Sequence, residues 1–175
     1  MVGLLKRIFG GWNYRLNKEE QKLIDDYLDD AGKFLFSQMS KADQRHSLAV
    51  ARTILTQAAY LRGVKIKTLV KAALLHDIGK VEGDFTFLSR LFVGVIRRVN
   101  PTLRGKLALT NPVTRWEKIK YGCYVDLIHP ARGAYMAKIF GIEPTVVEMI
   151  KRHHDPPREG QSPELTWLQT ADNKN

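Results

Sequence analysis

Five histidines, His46, His76, His129, His153 and His154, carry most of the chemistry this sequence could do. His76 adjoins Asp77, His153 adjoins His154, and a further carboxylate, Asp172, stands near the last residue. Imidazole and carboxylate are ligands suited to Fe, Mn, Zn, Co or Ni. Two such ions a few ångströms apart can share a bridging carboxylate, activate a water and clamp a phosphoryl oxygen. Taken alone, a His-Asp pair at a helix end is equally an ordinary C-terminal turn with its imidazole against the helix dipole. His46 alone would be a surface or core residue. The pointer to metal is the whole set.

The elements that must position these groups are helical. The apolar run Leu69 to Leu75 delivers His76 and Asp77 and stops at Gly79, in the string His76-Asp77-Ile78-Gly79-Lys80. Neighbouring side chains on a helix diverge by about 100°, so both can reach one ion only if it sits just beyond the helix end. Ser40, with Asp43 three residues on, reads as a capping box opening a helix that runs to Gly63 and carries His46 in its second turn. Thr68 reads as the cap of the helix leading to His76. An earlier helix starts at Asn17 and breaks at Gly32. Pro130 suits the first position of a helix, Gly133 and Ala134 permit a close helix crossing, and Gly141 ends that helix. Pro144 opens the helix that delivers His153 and His154 before Pro156-Pro157 forbids continuation; Ser162-Pro163 opens the last one, which carries Asp172. No segment alternates like a strand, so the expected fold is all-α, one domain over residues 1–175.

Composition narrows the rest. At 175 residues and 44% hydrophobic content the chain can bury a sizeable core, and no run approaches the ~18 apolar residues of a spanning helix. The single cysteine, Cys123, cannot form an internal disulfide and fits a reducing, cytoplasmic setting. A net charge of +10 points to an anionic partner. A nucleic-acid polymer is not expected, because no aromatic-basic interleaving or binding motif accompanies the charge. Residues 1–16 begin as a short basic amphipathic element, which either packs on the domain or makes peripheral contact with an anionic membrane. Residues 83–126 read as a helical insertion, apolar from Phe85 to Ile96 and then basic at Arg97, Arg98, Arg104 and Lys106. It could serve as a substrate lid, a dimer surface or a membrane-facing patch, and oligomeric state is open.

In that order, with the HDIGK string, the histidines and Asp172 resemble the HD-domain metal-dependent phosphohydrolase superfamily, from Asp43 to the C-terminus. The extra His129, His153 and His154 are similar to its dinuclear branch, which includes cyclic-dinucleotide phosphodiesterases. The resemblance implies a helical bundle with two divalent transition-metal ions, Fe or Mn foremost. One would be held by His46, His76, Asp77 and Asp172, the other by His129, His153 and His154, with Asp77 bridging. It implies hydrolysis of a phosphoester, a nucleotide or cyclic dinucleotide, by a metal-bound hydroxide. Lys80 would hold a substrate phosphate or stabilise developing charge, with Arg132 as a second candidate. After His153-His154 the sequence reads DPPREGQSPEL, without the GYP signature of the cyclic di-GMP branch. The same fold also hosts mixed-valent di-iron oxygenases with a similar ligand set, and non-catalytic binding modules, which usually lose ligands.

Overall fold

The computed structural model describes residues 15–175, so the amphipathic element expected over 1–16 lies, but for its last two residues, outside the described residues. The first helix, α1 (Lys18–Tyr27), opens on a full capping box: the Asn17 side chain accepts from the Glu20 amide at 2.9 Å, and Glu20 accepts from the Asn17 amide at 3.0 Å. The break expected at Gly32 comes earlier. Asp29 caps α2 (Asp30–Ser37) by accepting from the Gly32 amide, so Gly32 lies inside the first turn, where an aspartate cap outweighs a glycine.

Ser40 caps α3 (Lys41–Gln57) as expected, but α3 does not reach Gly63. It passes into a 3₁₀ turn, Ala58–Tyr60, and Gly63 turns the chain at φ 73° three residues later. The next helix, α4 (Ile66–Leu75), starts two residues before the expected cap at Thr68. A distant residue replaces that cap: Glu164 accepts from the Lys65 amide at 3.0 Å.

Residues 83–126 form α5 (Phe87–Val99), α6 (Leu103–Leu107) and the first half of α7 (Arg115–Ile139). The expected boundary at 126 and the expected helix start at Pro130 both give way to one continuous helix with Pro130 inside it. Helix α8 (Pro144–Arg152) has Pro144 at its first position, and α9 (Pro163–Lys174) is capped by Ser162. The described residues are thus all-α; their one β feature is an isolated bridge between Met39 and Val81.

Helix α4 is the axis. Every residue from Leu69 to Leu75 is buried, with α3, α8 and α9 packed along it and α1 and α2 closing its other side. Even Lys71 is enclosed, its ammonium between Asp29 at 2.9 Å and Glu143 at 2.8 Å. This main core holds most of the buried apolar side chains. Helices α5 and α6 instead pack on α7 over a separate small core of Val93, Ile96 and Cys123. No helix among the described residues is long and apolar enough to cross a membrane.

Candidate metal centre

Five elements converge on one buried spot. Helix α3 brings His46, the turn after α4 brings His76 and Asp77, α7 brings His129, the end of α8 brings His153 and His154, and α9 brings Asp172. Three of the rings are set by the same backbone device. His76 Nδ1 lies 2.8 Å from the Ala73 carbonyl, His129 Nδ1 2.8 Å from Asp126 and His153 Nδ1 2.7 Å from Ile150, each three residues back. His76 and His153 are the C-caps of α4 and α8, where helical carbonyls lack amide partners. His129 is in mid-helix, but Pro130 lacks the N–H that would otherwise bond the Asp126 carbonyl. A carbonyl only accepts, so each Nδ1 carries the hydrogen and each ring, when neutral, offers a lone pair at Nε2; at His76 the neighbouring Asp77 and Asp172 raise the imidazole pKa against its burial.

Those lone pairs face one another. His129 Nε2 and His153 Nε2 are 3.2 Å apart, and His76 Nε2 is buried without a hydrogen-bond partner among the described residues. Asp77 stands between the halves of the site: one carboxylate oxygen lies 3.3 Å from His129 Nε2 and 3.8 Å from His153 Nε2, the other 3.6 Å from His76 Nε2. Asp172 is 2.8 Å from His46 Nε2 and 3.6 Å from His76 Nε2. Three sets have ligand atoms within 4.8 Å of one another: His46, His76 and Asp172; His76, Asp77 and His153; His129, His153 and His154. Neutral nitrogens with opposed lone pairs and an orphaned buried acceptor are what a divalent cation relieves, so the donor set fits metal.

Neighbouring charges and burial together set the ionisation of the site. Although burial opposes it, Lys80, His76 and His129 hold the Asp77 carboxyl well below the usual carboxylate range. Asp172 is likewise lowered against its burial, by the hydrogen bond from His46 and by the nearby His76 ring. Burial, then the neighbouring His154, His76 and His129, push His153 well below the ordinary imidazole value. His154 falls to about 3 through burial, Lys80 and His129, so these rings stay neutral and able to ligate at physiological pH.

Gly79 permits the assembly. A Cβ there would stand 2.0 Å from the His129 carbonyl oxygen and 2.8 Å from the Gly133 nitrogen, so the turn after α4 lies backbone-to-backbone on α7. This is the close crossing expected at Gly133.

The site opens into a cavity of about 440 Å³, lined on one side by Asp77, His154 and Asp172 and on the other by α5. Lys80 lines it, its ammonium 2.7 Å from Asp77. Arg132 does not: its guanidinium is bound to Asp84 at 2.7 Å, and neither residue reaches the cavity. Sequence reasoning gave Asp43 only a capping role and passed over Arg90 and Asp126. Arg90 forms a two-pronged pair with the buried Asp43, at 2.8 and 2.6 Å, and Asp126 is buried against Arg104 at 2.5 Å. A signal existed, since Arg90 and Arg97 are seven residues apart and share a helix face.

Residues 44–101 match the family model of the HD domain, a span that takes in His46, His76, Asp77, Lys80 and the whole of α5. His129, His153, His154 and Asp172 lie beyond the matched span. No curated protein and no solved structure matches the chain.

Proposed function

We propose that the chain is a metal-dependent phosphohydrolase acting on a phosphoester of nucleotide type. The observation that carries this is the inward turn of three buried Nε2 lone pairs around the ionised Asp77, beside a cavity with a basic wall. His46, His76, Asp77 and Asp172 would hold one ion and His129, His153 and His154 the other, with Asp77 shared. Bound divalent ions supply Lewis-acid charge to a phosphoryl oxygen and lower the pKa of water. The protein does the rest. Its backbone carbonyls fix the imidazole tautomers, burial of His76, His129 and His153 excludes bulk water, and Lys80 keeps Asp77 ionised while presenting an ammonium to the cavity.

A second reading has one observation in its favour. His154 keeps 26% of its side-chain surface exposed, and its Nε2 lies 3.4 Å from an Arg97 guanidinium nitrogen. If His154 serves Arg97 rather than an ion, the remaining six ligands are those of the di-iron oxygenase arrangement. The test is a panel of phosphomonoesters and linear and cyclic nucleotides, offered to protein loaded with Fe or Mn without oxygen. Metal-dependent phosphate or nucleotide release, abolished by a chelator, is the expected result. Metal-loaded protein that leaves every phosphoester intact but consumes oxygen with a small organic substrate would replace this reading with the oxygenase one.

A further inference from the structure

Each buried carboxylate around the cavity has its own cation except where the site's histidines gather. Asp43 is neutralised by Arg90, Asp77 by Lys80 and Asp126 by Arg104, at distances of 2.5–2.8 Å. Among the described residues Arg97 has long contacts only, 3.5 Å to Asp126 and 3.4 Å to His154 Nε2. It lines the cavity with 39% of its side chain exposed, and Arg98 beside it lines the same wall. A guanidinium held by two contacts at the limit of hydrogen bonding is available to an anion that offers charge-assisted bonds of ~2.7–2.9 Å.

Position bears on which anion. His154 turns Nδ1 toward Asp172, 3.9 Å away, and its opposite nitrogen toward Arg97. Arg97 therefore meets His154 on the side turned away from Asp172, at the outer edge of the ligand cluster, where it faces the cavity. The cavity, at about 440 Å³, falls in the ~300–1,000 Å³ range of small-molecule sites and has room for a further group.

We propose that Arg97, with Arg98 beside it, binds a second phosphoryl group of the substrate, so that the cavity selects molecules carrying two linked phosphoryl groups over those carrying one. This rests on the phosphohydrolase reading for what happens at the cluster, but not for the binding itself. Asp126 is the positioning residue: held by Arg104 and itself lining the cavity, it stands 3.5 Å from Arg97 and keeps that guanidinium at the cavity wall.

The probes are methylenediphosphonate, whose P–C–P link cannot be hydrolysed, and methylphosphonate, which carries a single group. Both are titrated calorimetrically into the metal-loaded full chain, in buffer holding the same free metal, for wild type, Arg97→Gln and a Lys22→Gln control on the exposed face of α1. The expected result is a loss of about ten- to hundredfold in diphosphonate affinity for Arg97→Gln, the scale of a charge-assisted bond, with methylphosphonate affinity, metal content and the control unchanged. Equal losses for both probes, no loss for either, a fall in metal content in Arg97→Gln, or no diphosphonate binding by wild type would each overturn the proposal. Arg97-dependent diphosphonate binding by a protein that cleaves no phosphoester would instead sink the hydrolase reading alone.

Discussion

The floor of the cavity and its α5 wall are built on different principles. The floor is made of residues from five elements, locked into the main core, with each buried ring set by a backbone carbonyl. The wall is one helix on a small core of Val93, Ile96 and Cys123, attached across the cavity by the two-pronged Arg90–Asp43 pair. The floor's rigidity suits ligands that must be held in place before any ion arrives. The wall's lighter attachment suits recognition, where side chains adjust to what is bound. On the proposed function, chemistry belongs to the floor and selection to the wall, and substitutions in the two regions are expected to fail differently.

The sharpest way to break the floor is Gly79→Ala. The added methyl meets backbone atoms of α7 and cannot be relieved by a rotamer change, so a loss of at least ~3 kcal/mol, the upper end of overpacking costs, is expected. Chemical denaturation measures it, and metal content should fall with it because His76 and His129 are pushed apart. A variant as stable as wild type would mean that the turn does not bear on α7 as closely as the geometry requires.

A smaller effect is expected in the wall. Val93→Ala removes two carbons from the satellite core, about 1.6 kcal/mol at ~0.8 kcal/mol per buried CH₂. Metal content should stay at the wild-type level while KM for a phosphorylated substrate rises. Metal loss in Val93→Ala would show that floor and wall form one cooperative unit and would erase the distinction drawn between them.

Much of the floor was legible in the sequence because local rules govern it. The glycine after the His-Asp pair, the Pro144 and Ser162 helix starts and the run Leu69 to Leu75 each announce their element. Where the reading missed, a distant partner or a compensated defect was the cause. Thr68 did not become a cap because Glu164, on another helix, accepts from the Lys65 amide. Pro130 reads as a helix start, yet it lies in mid-helix because the His129 imidazole donates to the carbonyl that Pro130 leaves unpaired. Arg132 reads like Lys80 in sequence but finds Asp84, a partner that only the folded chain brings near. The wall was least legible: an apolar, basic stretch specifies a helix, but not that its arginines line a cavity, and the family match covers the stretch without assigning it a role.

The most direct test of the proposed two-ion floor, with Asp77 shared, is metal content per chain, by elemental analysis of protein purified without chelator or a metal-binding tag, for wild type and Asp77→Ala. About two transition-metal ions per wild-type chain are expected, the number a bridging-carboxylate site takes, falling below one in Asp77→Ala, with activity abolished. Wild-type stoichiometry in Asp77→Ala, or no metal in wild type even after reconstitution with Fe or Mn, would contradict the bridging role given to Asp77.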